Sequence, residues 1–92
     1  MRFSFDPRKS RRLRANRRRG IGFEEVRELF TRPYWVDQRS DVPEQFLAVG
    51  WVGDRLYSVI FEVRQDEEGE ILHLVTLSRS TKEEIRLYEE NS

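Results

Sequence analysis

The second half of the chain alternates between apolar and polar positions with the two-residue period of β-strands. One alternating run covers residues 46–52 and another covers residues 55–64, and the dipeptide Gly53-Asp54 between them is typical of a tight hairpin turn. A return strand is expected at residues 71–77, after a loop at residues 65–69. The pattern therefore predicts three or four strands that are linked by hairpins in this half of the chain.

A short strand and two helices are predicted before these hairpins. The alternation of Phe3-Ser4-Phe5 indicates the strand, and Asp6 then offers an N-cap with proline at the first helical position. Because Gly20 readily takes the left-handed conformation that ends helices, the first helix is expected over residues 8–19. In the second helix, apolar residues recur at three- and four-residue spacing from Phe23 to Phe30.

A third helix is predicted at the end of the chain. Ser80 with Glu83, and Thr81 with Glu84, both have the spacing of a capping box. The order of elements predicts an α+β fold, in which two N-terminal helices pack on a small antiparallel sheet and a C-terminal helix follows. We expect one domain over residues 1–92, with the helices on one side of the sheet, because so short a chain has no room for a second core.

Charge is divided unevenly along the chain. Residues 1–32 contain 11 Lys or Arg and 4 Asp or Glu, whereas residues 33–92 contain 6 and 13, so that net charges of +7 and −7 cancel. Eight of the twelve residues from 8 to 19 are basic, so the first helix cannot bury a wide face. This segregation indicates that the N-terminal part meets a polyanion or an acidic protein.

Composition narrows the possible chemistry and location. The chain has no cysteine and one histidine, which argues against disulfides and thiolate metal sites, so we expect no metal and no cofactor. No apolar run reaches the roughly 20 residues of a membrane helix, and the N-terminus lacks an apolar signal region. A cytoplasmic protein without membrane contact is therefore predicted.

Arginine is the natural side chain for binding phosphate, because its guanidinium stays charged and donates two parallel hydrogen bonds. RNA is therefore an expected partner of the first helix, and a solvated face or an acidic protein are the alternatives. The candidate RNA-binding residues are Arg8, Lys9, Arg11, Arg12, Arg17, Arg18 and Arg86.

Cleavage of RNA without a metal needs a proton acceptor for the 2′-hydroxyl, cationic donors around the phosphorane and an acid for the departing oxygen. Arginine suits the second role, and His73 has the pKa suited to proton transfer near neutrality. The candidate catalytic residues are Arg79, Arg19, His73 and Lys82.

Several other side chains have both a structural and a functional interpretation. Aromatic rings are candidates for stacking on unpaired bases, although core packing is their default role; they are Tyr34, Trp35, Trp51 and Tyr57. Tyr88 is expected to be a core anchor with its hydroxyl in water, and contact with substrate is the alternative. The acidic run at residues 66–70 is expected to be a solvated hairpin tip.

Several short motifs resemble the BrnT family. They are Phe5-Asp6-Pro7, Arg19-Gly20-Ile21, Phe23-Glu24-Glu25, Phe46-Leu47-Ala48-Val49-Gly50, and Thr81 with Glu84 and Tyr88. That family is the ribonuclease half of a type II toxin–antitoxin pair. The resemblance implies a RelE-like fold, endoribonuclease activity and neutralisation by a BrnA-like ribbon-helix-helix antitoxin.

The sequence departs from the family at two places. The usual Lys-His-Gly before the second helix is Arg18-Arg19-Gly20 here, and the arginine usually found three residues before the threonine falls on Ser78, with Arg79 one place later. The expected function is a metal-independent endoribonuclease toxin. A nonenzymatic RNA-binding or protein-interaction module that uses the basic helix is the alternative.

Overall fold

The computed structural model describes residues 1–91, and these residues form five strands and three α-helices. The strands are β1 Arg2–Ser4, β2 Tyr34–Asp41, β3 Glu44–Val52, β4 Arg55–Asp66 and β5 Gly69–Arg79. The helices are α1 Pro7–Ala15, α2 Val26–Thr31, which follows a 3-10 turn at Phe23–Glu25, and α3 Lys82–Glu90. The predicted α+β class is confirmed.

The strands form a single mixed sheet in the order β1-β5-β4-β3-β2. The three pairs that are consecutive in the chain are antiparallel, whereas β1 joins β5 in parallel, from Arg2 opposite Ile71 to Ser4 opposite His73. The predicted antiparallel sheet is thus correct for four strands and wrong for the first. A hairpin forces its two strands to be antiparallel, but β1 and β5 are far apart in sequence and no such constraint acts on them.

Both predicted hairpins are present, and the turn of the first is the one expected. Val52 lies opposite Arg55, so Gly53 and Asp54 alone make the turn between β3 and β4, and Gly53 has the positive φ of 61° that such turns require. The next turn is tighter than expected, because the ladder between β4 and β5 continues to Asp66 opposite Gly69. The loop predicted at residues 65–69 therefore shrinks to two residues.

Helix α2 packs on the face of the sheet that carries the main hydrophobic core. A Cβ atom added at Gly50 would lie 2.9 Å from Cγ of Leu29, so the helix approaches β3 where the strand has no side chain. Buried side chains from α1, the 3-10 turn, α2 and three strands fill this core; they include Leu13, Phe23, Val26, Leu29, Ala48, Val59, Leu74 and Leu77. The predicted second helix thus supplies the core, although its first turn is 3-10.

Helix α3 lies on the opposite face of the sheet. Tyr57 belongs to the main core, so the side chain of its neighbour Ser58 points to the opposite face of the sheet. There the Ser58 hydroxyl donates to Oε1 of Glu84 in α3 at 2.9 Å. The helix uses one of its two predicted capping boxes, that of Thr81 and Glu84, while Ser80 bonds Ser58 at 2.8 Å. The helices therefore cover both faces, rather than one side as expected.

Helix α1 begins as predicted and ends earlier. The side chain of Asp6 accepts a hydrogen bond from the backbone N–H of Arg8, with Pro7 in the first turn. The helix stops at Ala15, not at Arg19, and Gly20 has its expected positive φ of 70° at the end of a separate turn. No helix formed by residues 1–91 has both the length and the apolar character needed to span a membrane.

Candidate functional site

A cavity of about 390 Å³ opens between the turn that follows α1 and the end of β5. It is lined by Asn16, Arg18, Arg19, Ser78 and Arg79. Two of the candidate catalytic residues, Arg19 and Arg79, are thus brought together from distant parts of the chain. Arg18, which was predicted to bind RNA, lies beside them.

Asn16 organises the turn that presents Arg18 and Arg19. Its side-chain Oδ1 accepts a hydrogen bond from the backbone N–H of Arg18 at 2.9 Å. Its backbone carbonyl accepts from the N–H groups of Arg19 at 3.0 Å and Gly20 at 2.9 Å. Three of the following backbone donors are therefore satisfied by one residue, a role for which asparagine is well suited.

Tyr57 connects the two sides of the cavity from beneath. Its ring is buried, with 4% exposure, and its hydroxyl donates to the backbone carbonyl of Arg19 at 2.9 Å. On the sheet Tyr57 lies opposite Arg79. Tyr57 is thus hydrogen-bonded to the backbone of Arg19, and it is the cross-strand neighbour of Arg79.

The arginines of the cavity carry unbalanced positive charge. No carboxylate among residues 1–91 forms an ion pair with Arg18, Arg19 or Arg79. The Nε–H of Arg19 is buried, and within the same residues it has no hydrogen-bond partner. Because an unsatisfied buried donor costs about 1–3 kcal/mol, an anion that accepts from this group would stabilise the site.

The other predicted RNA-binding residues of the N-terminal segment have different environments. Arg8, Arg11 and Arg12 are exposed on α1, and Arg17 is exposed in the turn. Lys9 is half-buried, and its ammonium donates to the backbone carbonyl of Val75 at 2.5 Å. Its charge is therefore used to satisfy a carbonyl of β5.

The neighbouring Arg14 is engaged within the molecule. Its guanidinium donates to Glu25 at 2.5 Å and to Glu24 at 2.8 Å. Ser10, which is 1% exposed, donates to the same oxygen of Glu24 at 2.5 Å and accepts from the N–H of Phe23 at 2.9 Å. The Phe23-Glu24-Glu25 motif therefore ties α1 to the 3-10 turn.

The structure places His73 away from the cavity. The residue is half-buried on β5, and its Nδ1 lies 2.9 Å from Oγ of Ser4 on β1. Burial lowers the pKa of His73, Arg64 lowers it further, and Glu62 opposes the shift. Ser78 lies five residue steps further along the extended strand, roughly 16 Å from His73 at the usual strand rise, so the histidine ring does not reach the cavity.

The two predicted site residues on α3 also lie outside the cavity lining. Lys82 is the exposed first residue of the helix. Arg86 is held between Glu83 and Glu90, with a distance of 2.6 Å to Glu90, and these carboxylates raise the pKa of the Arg86 guanidinium. The charge of Arg86 is thus partly neutralised by its own helix.

The acidic residues of the hairpin tip are exposed, as expected, and one of them is also ion-paired; they are Asp66, Glu67, Glu68 and Glu70. Asp66 forms a two-pronged ion pair with Arg2, at 2.6 Å and 2.9 Å, and the hydrogen bonds from Arg2 lower the pKa of Asp66 to about 2. No three His, Asp or Glu side chains within residues 1–91 gather into a group that could hold a metal ion.

The aromatic residues follow the core-packing interpretation where they are buried. Tyr57 belongs to the core, and Tyr88 is 9% exposed, with its hydroxyl donating to the carbonyl of Pro33 at 3.2 Å. Tyr34 is 39% exposed and packs edge-on against Phe30, with ring centroids 5.1 Å apart.

Sequence reasoning missed Asn16 and Tyr57 as residues that build the site. Asn16 was placed inside the first helix, although its preference for turns was a usable signal. For Tyr57 the sequence indicates core packing or stacking on a base, and nothing local to it indicates a bond to residue 19.

Chemically, three arginines and an asparagine line the cavity beside Ser78, and guanidiniums are suited to holding a phosphodiester because they donate in parallel to its oxygens. A scan against models of protein families found none that matches this chain, and a search of curated proteins found no significant match.

Proposed function

We propose that this chain is the toxin of a type II toxin–antitoxin pair, a metal-independent endoribonuclease that acts in the cytoplasm. The observation that carries the proposal is the cavity in which Arg18, Arg19 and Arg79 meet without carboxylate partners among residues 1–91. The BrnT-like motifs and a RelE-like arrangement of the helices belong to the same proposal. So does a BrnA-like ribbon-helix-helix antitoxin as the neutralising partner.

In the proposed reaction the 2′-oxygen of a ribose attacks the adjacent phosphorus. The bond from phosphorus to the 5′-oxygen breaks, which leaves a 2′,3′-cyclic phosphate on one fragment and a 5′-hydroxyl on the other. Arg19 and Arg79 donate to the non-bridging oxygens, where negative charge grows in the transition state. By analogy with other preorganised donors, removing one of them should slow cleavage by about 10²–10³-fold.

The residues that line the cavity include no ordinary proton donor or acceptor for this reaction. The five lining residues include no imidazole and no carboxylate. We therefore assign removal of the 2′-proton to solvent hydroxide, with water protonating the departing 5′-oxygen. The roles predicted for His73 and Lys82 stay predictions.

The test is cleavage of RNA by the purified chain in the presence of EDTA. We expect cyclic-phosphate and 5′-hydroxyl ends, with R79A and R19A each strongly impaired. Arg39→Gln on β2, a loss of one exposed charge far from the cavity, is the matched control and should cleave normally. Intact RNA at every pH, together with normal growth of a bacterial host that expresses the chain alone, would refute the proposal.

A nonenzymatic RNA-binding module is the second candidate. The absence of a proton-transfer group among the five lining residues favours it. It predicts that RNA binds in a salt-sensitive way and stays intact, and that R79A changes affinity alone.

A further inference from the structure

Helix α1 separates its basic residues into two groups. Ser10 and Leu13 are buried and define the inward face of the helix. Arg8, Arg11 and Arg12, at spacings of three and four residues, lie on the opposite face and are exposed. No carboxylate among residues 1–91 pairs with them, whereas Arg14 at the edge of the helix is paired with Glu24 and Glu25.

A row of residues on this exposed face of α1 leads to the cavity. Arg8, Arg12 and Asn16 follow one another at four-residue steps, so they lie along one side of the helix at intervals of about 6 Å. Asn16 ends the row and lines the cavity. A chain of phosphates that follows the row is therefore delivered to Arg18 and Arg19.

The spacing and the chemistry favour a single strand of nucleic acid. Neighbouring phosphates of one extended strand are separated by about one such step along the helix. In-line attack by a 2′-oxygen also requires the ribose and phosphate to rotate, which the regular geometry of a duplex resists and an unpaired strand permits. An acidic protein segment would satisfy the row, but it would bring no phosphate to the buried Nε–H of Arg19.

We infer that Arg8, Arg11 and Arg12 form a track for single-stranded RNA, which holds about two phosphates beyond the one in the cavity. Lys9 and Arg86 take no part, because Lys9 is bonded to Val75 and Arg86 to Glu83 and Glu90. The inference rests on the proposed function, because it extends the binding site of the same RNA.

The experiment measures binding separately from cleavage. Fluorescence anisotropy of the full chain is recorded with labelled 2′-O-methyl oligouridines of two and eight nucleotides, which cannot be cleaved, between 50 and 200 mM NaCl. The test variant is R8Q/R12Q. The control is R39Q/R64Q, which removes the same charge from β2 and β4, and thermal melts of both variants confirm that they fold.

We expect R8Q/R12Q to weaken binding of the eight-nucleotide probe about tenfold or more. The slope of log affinity against log salt should become shallower by about 1.4, since each phosphate contact on a single strand contributes about 0.7. The two-nucleotide probe fits within the cavity. Its affinity for R8Q/R12Q and for R39Q/R64Q should therefore equal its affinity for the original chain.

Three results would overturn the track. They are an unchanged salt slope in R8Q/R12Q, an equal loss for both probe lengths, and a loss no greater than that of R39Q/R64Q. Equal binding of duplex RNA would overturn the preference of the track for a single strand. Binding of polyglutamate but not of RNA to Arg8 and Arg12 would make the surface a protein-docking site.

The outcomes also separate the two proposals. If the original chain binds the long probe through the track and never cleaves RNA, the enzyme proposal fails alone. If R79A abolishes cleavage while R8Q/R12Q binds normally, the track fails alone.

Discussion

The hydroxyl of Tyr57 donates a hydrogen bond to the backbone carbonyl of Arg19, over 2.9 Å. This bond joins the floor of the sheet to the turn that carries two of the cavity arginines. Because the tyrosine also lies opposite Arg79 on the sheet, its position couples the packing of the core to the geometry of the cavity. Removing the hydroxyl oxygen of Tyr57 should therefore change the positions of the cavity arginines.

Replacing Tyr57 with Phe tests this coupling. The variant leaves the carbonyl of Arg19 without its donor, so we expect a loss of about 1 kcal/mol in the free energy of unfolding, and a fall in RNA cleavage. Tyr88→Phe is the matched control, since it removes a similar hydroxyl that bonds Pro33 outside the cavity lining. Urea melts and cleavage rates of both variants check the prediction. Equal effects on cleavage would show that the Tyr57 hydroxyl does not position the arginines.

Gly22→Ala should destabilise the fold for a purely steric reason. The backbone at Gly22 has φ of −112°, which any residue adopts, but an added Cβ would lie 2.5 Å from Oγ of Ser10. Ser10 is buried and bonds both Phe23 and Glu24, so it cannot move freely. We expect a loss of about 1–3 kcal/mol in urea denaturation. A variant as stable as the original chain would show that α1 shifts without cost.

Acid should weaken the pairing of β1 with the hairpin tip. The pKa of Asp66 in the fold, about 2, lies below its ordinary value of 3.8, so the unfolded chain takes up the proton first as pH falls. The stabilising contribution is complete above about pH 4 and is lost toward pH 2. Urea midpoints between pH 5 and pH 2 should therefore fall less steeply for D66N. Glu67→Gln, in the same turn, is the control and should follow the original chain.

His73 should titrate below its ordinary pKa of 6.5, because burial and Arg64 both disfavour the charged ring. The unfolded chain then binds the proton first, so this residue lowers stability as pH falls below about 6.5. Ring chemical shifts measured by NMR give the midpoint. Arg64→Gln should raise it and Glu62→Gln should lower it, because the two side chains act in opposite directions. A midpoint above 6.5 would contradict the burial argument.

The pH profile of RNA cleavage tests the assignment of proton transfer. If solvent hydroxide removes the 2′-proton, the rate should rise steadily with pH and show no inflection near the pKa of an imidazole. His73→Gln should then cleave within a few-fold of the original rate. A bell-shaped profile that disappears in His73→Gln would instead give the histidine the catalytic role predicted from the sequence.

Local signals in the sequence determined most of the elements of this protein. The Gly53-Asp54 turn, the capping box of Thr81 and Glu84, and the N-cap at Asp6 each depend on residues a few positions apart, and all three are present. The alternating strands were likewise recognisable, because alternation reports directly which side chains face the core. The sequence also identified arginine as the main source of charge in the N-terminal segment.

Only the tertiary structure decided where these pieces meet. The parallel pairing of β1 with β5, the early end of α1 at Ala15 and the covering of both sheet faces all depend on contacts between distant segments. The same is true of the cavity, since Arg19 and Arg79 are neighbours only because β5 ends beside the turn at Asn16. Composition counts charges, but ion pairs with Glu24, Glu25, Glu83 and Glu90 form only in the folded chain, and they determine which arginines remain free to bind.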